Sequence, residues 1–190
     1  MKRCDWVSGE IHTKYHDTEW GTPLHNDRKL FEFLILDTMQ SGLSWRIILN
    51  KRVSFQKAFD NFDAKKISKY NERDIKRLLV DEGIIRNKRK IGSTINNAQR
   101  FLETKKEFGT FDKYVWSFVN CKTVHNRFKT WTDIPATSEE SELMSADMKK
   151  RGFTFVGPTV IYAFMQTVGM VNDHVVGCFR KKELMSINVR

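Results

Sequence analysis

Two pairs of potential metal ligands lie at opposite ends of this chain. Eleven residues separate Cys4 from His16, and three separate His174 from Cys178. Together they form a Cys2His2 set, which is typical of a closed tetrahedral zinc site. A metal bound by both pairs would join the N-terminal segment to the C-terminal segment rather than fold a small finger. The spacing is not a finger pattern, so unrelated cysteines and histidines remain the alternative.

A second group of candidate residues is aromatic. Trp6, Tyr15, Trp20 and Trp45 all lie within the first 45 residues. Core packing is the usual role of such side chains, but Tyr15 and Trp20 flank the polar run 16–19, which is unlike a core stripe. Flat rings beside a carboxylate are what a pocket for a flipped base requires. The cluster therefore predicts either a base pocket or part of the core.

Asp37 and the turn that follows it extend this pattern. Asp37 lies late in an apolar helical segment, where it is either a buried hydrogen-bond acceptor or a polar residue on an exposed face. In the turn 40–45, Gly42 permits close approach of a backbone, and Leu43 is an apolar tip that can wedge into a base stack.

The segment 81–90 predicts a helix end, a tight turn and the start of a basic helix. Such a hairpin can present the backbone N–H groups of its second helix to a phosphate. Arg86, Lys88, Arg89 and Lys90 place positive charge beside it. An ordinary turn between two helices, with a solvated basic face, is the alternative interpretation.

Composition favours a nucleic-acid partner and an intracellular protein. Lys and Arg number 33 against 23 Asp and Glu, which gives a net charge of +10, and ordinary solubility charge is the alternative explanation. Three cysteines, with Cys121 as the third, make a poor disulfide framework. The start has no apolar signal segment, and no run is long enough to span a membrane. We expect a cytoplasmic location.

Nearly every segment of the chain predicts helix, and no strand series is evident. We expect an all-α domain over residues 1–190, with a break within 121–137 that could divide it into two helical lobes, and a frayed tail at 186–190. Pro158 suits the first turn of a late helix. Predicted helix caps are Asp27, Ser44, Asp63, Asn71, Asn87 and Ser138.

These motifs together resemble the type I 3-methyladenine DNA glycosylases. The resemblance extends from residue 3 to residue 178 and covers nearly the whole chain. The matching segments are Arg-Cys-Asp-Trp-Val at 3–7, Tyr-His-Asp-Thr-Glu-Trp-Gly at 15–21, Gln-Ser-Gly-Leu-Ser-Trp at 40–45, Gly-Ile-Ile-Arg at 83–86, Val-Trp-Ser-Phe-Val-Asn at 115–120, Lys-Arg-Gly-Phe-Thr-Phe-Val-Gly at 150–157 and Val-Asn-Asp-His-Val-Val-Gly-Cys at 171–178.

The resemblance implies a helix-hairpin-helix fold in which a structural zinc joins the two ends of the chain. It implies a monomer that excises 3-methyladenine from alkylated double-stranded DNA. Trp45 would stack on the excised base, Tyr15 would lie in the same pocket, and Gly42 and Leu43 would enter the DNA at the lesion. The implied metal ligands are Cys4, His16, His174 and Cys178, the implied phosphate contacts are Arg86 and Lys90, and Asp17, Asp173 and His174 lie where they would support the metal ligands.

Two residues depart from the family pattern, and both belong to the implied pocket. Asp37 stands where the family has Glu, so its carboxylate falls roughly an ångström short of the family position. His12 stands where the family tends to have Tyr. A homologue that binds lesions or DNA with altered specificity or lost activity is therefore an alternative to the glycosylase. A zinc-stabilised helical interaction domain is a third possibility.

Overall fold

The computed structural model describes residues 1–186 and is mostly helical, as expected. Two 3-10 turns, at Asp60–Phe62 and Trp131–Asp133, lie between the helices. Of the predicted tail 186–190, only Ser186 falls within the described residues. The helices are α1 Gly9–Thr18, α2 Asp27–Gln40, α3 Trp45–Ala58, α4 Ala64–Ile67, α5 Glu72–Val80, α6 Lys88–Phe108, α7 Phe111–Ser117, α8 Glu139–Lys150, α9 Pro158–Thr167 and α10 Phe179–Met185.

The expectation of a purely helical chain was incomplete, because a short parallel pair is also present. Strand β1, Val124–His125, pairs with strand β2, Val171–Asn172, with Val124 opposite Val171. Two-residue strands show too little alternation to be read from a sequence. Strand β1 lies within the predicted irregular stretch 121–137, and β2 lies just before His174. The pairing therefore connects that stretch to the segment carrying His174.

Polar caps set most helix starts where the sequence predicted them. Asn71 forms a capping box with Asp74 at the start of α5. The Asp63 carboxylate accepts from the backbone N–H groups of Lys65 and Lys66 in α4, and Asn87 caps α6. The prediction of Asp27 as a cap was wrong by one position. Asn26 caps α2, while Asp27 accepts from a backbone N–H of α7.

Helix α2 is the centre of the core. Every residue from Leu30 to Met39 is buried, and the helix packs against α3, α6 and α9. A helix covered on all sides cannot place a polar residue in solvent. Asp37 is therefore buried within the molecule, and the alternative of an exposed face does not apply.

The two ends of the described chain are held together. The backbone N–H of Phe179 donates to the carbonyl of Lys2 at 3.0 Å, and that of Gly21 donates to Gln166 at 3.0 Å. These bonds bring the segment carrying Cys4 beside the segment carrying Cys178. Among the described residues, the helices are too short or too polar to cross a membrane.

Candidate functional site

A cavity of about 360 Å³ lies between α1, α2, α3 and α9. It contains all six residues that the sequence predicted for a pocket, namely Trp6, His12, Tyr15, Trp20, Asp37 and Trp45. Five further residues line it that sequence reasoning missed, namely Gln40, Trp131, Ala163, Gln166 and Thr167. Gln40 was visible only as part of the turn motif, and nothing in the local pattern connects Trp131 or α9 to this cavity.

The aromatic rings form the walls of this cavity without stacking on one another. Tyr15 and Trp45 lie 5.4 Å apart at 54°, and Trp6 meets Trp20 edge-on at 5.2 Å and 79°. Trp131 closes another side, 5.9 Å from Trp6. Because tilted and edge-on rings leave ring faces free, the cavity can take a flat ligand.

Several polar atoms of the lining lack a protein partner among the described residues. They are Nε1 of Trp6, Nε1 of Trp45, both ring nitrogens of His12, and Oδ2 of Asp37, all of them buried. An unpaired buried polar group is costly, so such atoms are uncommon in a folded protein. Their concentration around one cavity indicates that it binds a planar ligand with polar edges.

The carboxyl group of Asp37 is the most deeply buried of these groups. Only 3% of the residue is exposed. Burial raises the pKa of this carboxyl well above its usual value, so an empty cavity favours the neutral form. A cation in the cavity would favour ionisation of Asp37.

Tyr15 and His12 are also held in neutral forms. The Tyr15 hydroxyl donates to Oγ1 of Thr167 at 3.1 Å, and burial raises its pKa well above the usual value. Burial, together with the charge of Arg46, lowers the pKa of His12. The ring of Tyr15 is thereby fixed to α9, and a neutral His12 offers one donor and one acceptor.

The predicted metal ligands meet in one buried cluster. The ligand atoms of Cys4, His16, His174 and Cys178 all lie within 4.8 Å of one another. Sγ of Cys178 lies 3.4 Å from Nε2 of His16 and 3.5 Å from Nδ1 of His174. Tetrahedral zinc with ordinary bond lengths places sulfur and nitrogen ligands about 3.5 Å apart. The donor set and its spacing therefore fit zinc.

The second nitrogen of each imidazole is also occupied. Nδ1 of His16 bonds to Asp17 at 2.7 Å, and three hydrogen bonds from Arg3 hold the pKa of Asp17 below its usual value. Nε2 of His174 lies 3.1 Å from the Trp20 carbonyl. The remaining nitrogen of each ring is therefore free to bind a metal. Histidines that bind metals usually make such a hydrogen bond through their second nitrogen.

Asp173 does not support the metal ligands as predicted. Its carboxylate accepts instead from Asn126, Tyr162 and Gln166, none of which belongs to the cluster. Chain neighbours of a ligand need not face it, because successive side chains in an extended segment point to opposite sides.

The turn between α2 and α3 lies at the mouth of the cavity. Gly42 has a φ of +78°, which L side chains rarely adopt, and Leu43 is 37% exposed. A smaller cavity of about 280 Å³ runs from this turn to Asp37 and Gln40, which also line the main cavity. A ligand bound at the turn would thus have direct access to the aromatic cavity.

The predicted basic hairpin corresponds to α5, a short turn and α6. Arg86 and Lys88 are exposed, whereas Lys90 is buried. The Lys90 ammonium donates to the carbonyls of Met39 and Ser41 at 2.8 and 2.6 Å. The expectation of a phosphate contact at Lys90 was therefore wrong. Its charge satisfies the C-terminal carbonyls of α2 and supports the turn at the cavity mouth.

Fold and site define a class: a helical protein whose aromatic cavity is shaped for one planar polar ligand, beside an exposed apolar turn and a basic hairpin. A family model described as methyladenine glycosylase matches residues 6–181. The chain belongs to this family, and the resemblance inferred from the motifs is confirmed.

Individual relatives are similar over almost their whole length. DNA-3-methyladenine glycosylase 1 of Escherichia coli K12 is 44% identical over 94% of this chain and 96% of its own. DNA-3-methyladenine glycosylase of Haemophilus influenzae is 42% identical over 93% and 96%. The solved 3-methyladenine DNA glycosylase I of Staphylococcus aureus, studied for 3-methyladenine recognition, superposes with a TM-score of 0.91 at 31% identity, covering 95% of this chain and 97% of its own.

Proposed function

We propose that this protein is a DNA repair glycosylase that excises 3-methyladenine from alkylated double-stranded DNA by hydrolysis of the N-glycosidic bond. The cavity carries the proposal, because its unpaired polar atoms and free ring faces suit a flipped purine. Relatives named for this activity, at 42–44% identity, support it. The protein would act as a monomer, since one chain contains the whole cavity.

Base binding is the main catalytic contribution of these residues. Methylation at N3 makes adenine a cationic base and hence a good leaving group, so the enzyme has mainly to extrude, hold and desolvate it. Trp45 would stack on the base and attract its positive charge, with Tyr15 as the neighbouring wall. Asp37 would ionise beside the cation and stabilise it until the glycosidic bond breaks.

DNA binding would use the other side of the same cavity. Leu43, at the tip of its turn, would fill the space that the extruded base leaves, and Gly42 would allow the strand to approach closely. The helix-hairpin-helix formed by α5 and α6 would bind backbone phosphates through its N–H groups and through Arg86 and Lys88.

A structural zinc held by the Cys2His2 cluster is part of the proposal. The metal would supply no chemistry to the reaction and would fix the two chain ends together. Its connection to the cavity runs through Trp20, whose carbonyl accepts from His174 and whose ring lines the cavity. Loss of the metal would therefore loosen one cavity wall.

The deciding experiment is incubation of the purified protein with methylated genomic DNA, followed by chromatography of the released free bases. Release of 3-methyladenine is expected. If no base is released although duplex DNA is bound, the protein is a lesion-binding homologue instead. If the binding is weak and independent of salt, the interaction-domain alternative is favoured.

A second candidate function, excision of a different alkylated base, is favoured by the shorter carboxylate at Asp37. The variant Asp37→Glu separates the two. Greater release of 3-methyladenine by the variant would mean that Asp weakens an ordinary family pocket. Lower release would mean that the cavity is adapted to Asp, and the spectrum of released bases would then identify its substrate.

A further inference from the structure

Gln166 on α9 lines the aromatic cavity, and its side-chain amide is fixed in one orientation. Its Nε2 donates to Oδ2 of Asp173 at 2.8 Å. A carboxylate only accepts hydrogen bonds, so the amide nitrogen, not the oxygen, must face Asp173. No hydrogen bond to the amide oxygen is formed among the described residues, so this oxygen is free to accept one from a ligand in the cavity that Gln166 lines.

Asp173 is itself held by two further donors. Nδ2 of Asn126 donates to its Oδ1 at 2.7 Å, and the Tyr162 hydroxyl donates to its Oδ2 at 2.7 Å. The carboxylate is buried, and so is the hydroxyl of Tyr162, whose pKa is raised by burial and then by Asp173. These two donors hold the carboxylate in place, and a carboxylate offers only acceptors, so the Gln166 amide cannot turn over without losing its hydrogen bond.

A fixed acceptor distinguishes the two purines. The exocyclic group at C6 is an amine in adenine, which donates, and a carbonyl in guanine, which accepts. An amide oxygen held in place would pair with the former and face the oxygen of the latter. A base that cannot pair leaves a buried acceptor unsatisfied, and sites of this kind discriminate strongly.

We propose that Gln166 determines base specificity, accepting a hydrogen bond from the exocyclic amine of an adenine-type base, and that Asp173 is its positioning residue. The proposal rests on the proposed function, because it assigns an edge of the base within the same cavity. It gives α9 a recognition role beside those of the aromatic rings and Asp37.

Binding of free bases tests the proposal without any variant. Binding of 3-methyladenine to the wild-type protein is compared with that of 3-methylpurine, which lacks the exocyclic amine. We expect 3-methylpurine to bind about tenfold more weakly or worse. Equal binding of the two would overturn the proposal. Since this measures binding alone, it remains decisive even if the protein releases no base from DNA.

The variant Gln166→Met then locates the effect. It should bind 3-methyladenine about tenfold more weakly and 3-methylpurine nearly as before, so that the preference for the amine disappears. The matched control is Gln99→Met, since Gln99 lies on α6 and donates to Ser68 outside the cavity. A Gln166→Met protein that keeps the full preference would refute the assignment.

Asp173→Asn tests the positioning role. An amide at position 173 offers both a donor and an acceptor, so the Gln166 amide gains a second orientation. We expect the preference for 3-methyladenine over 3-methylpurine to fall while affinity for 3-methylpurine is retained. A variant in which both affinities fall equally would show a merely structural role. Metal content is measured alongside, because Asp173 precedes His174.

Discussion

Nε2 of His174 lies 3.1 Å from the carbonyl oxygen of Trp20, so the Cys2His2 cluster and the aromatic cavity are neighbours. The ring of Trp20 meets that of His174 edge-on at 4.5 Å and that of Trp6 at 5.2 Å. One residue therefore contacts both sites. We therefore expect a change in the cluster to alter the cavity wall through Trp20.

Replacement of Trp45 by alanine should reduce excision of 3-methyladenine by at least about 100-fold, because the base loses its stacking and cation–π partner. Trp45 is only partly buried, so the fold should persist. Initial rates on methylated DNA and circular dichroism measure the two effects. Val53→Ala, at an exposed position on the same helix, is the control. Near-normal excision by the Trp45 variant would disprove the pocket assignment.

Asp37→Asn should stabilise the folded protein at neutral pH while it impairs excision. The folded pKa of Asp37 lies above the unfolded value of about 3.9, so the folded state binds more protons between the two values. Wild-type stability then falls by up to about 1.4 kcal/mol per pH unit as pH rises through that window.

The asparagine variant has no such proton to lose. Its stability should remain flatter with pH and exceed that of the wild type at pH 7, with Tm higher by roughly 2–4 °C for each kcal/mol recovered. Denaturant unfolding at several pH values measures this. A variant that loses stability at pH 7, with an unchanged pH profile, would show that Asp37 is already ionised in the free protein.

Metal analysis should find about one zinc per chain after gentle purification, because four ligand atoms are already gathered. Cys178→Ser should lose the metal and at least about 3 kcal/mol of stability, or roughly 6–12 °C in Tm. Cys121→Ser is the matched control, since Cys121 is exposed and away from the cluster. Full metal content in the Cys178 variant would contradict the four-ligand site.

Arg86→Ala and Lys88→Ala should each weaken binding to undamaged duplex DNA and reduce the slope of log affinity against log salt by about 0.9. Titrations at several salt concentrations give the slopes. Lys90→Met should behave differently, because its ammonium satisfies the carbonyls of Met39 and Ser41. We expect lower stability from it, and a lowered salt slope with normal stability would restore Lys90 as a phosphate contact.

The sequence by itself predicted the helical class, most helix starts and the family. Caps such as Asn71 and Asn87 bond to N–H groups two or three residues away, so their effect is local and readable from spacing. The sequence likewise predicted a metal site made of thiolate and imidazole ligands, from the residue types of Cys4, His16, His174 and Cys178. The sequence also identified the aromatic cluster and Asp37 as pocket candidates, but it did not predict that burial raises the pKa of Asp37.

Only the tertiary structure decided which distant residues meet. Packing of α9 against α2 brought Gln166 and Thr167 to the cavity, and the turn at Trp131–Asp133 brought Trp131. Lys90 is turned inward by the carbonyls at the end of α2, although its neighbours remain basic and exposed. Burial and contact across the chain depend on how all the helices pack at once, and no local spacing contains that information.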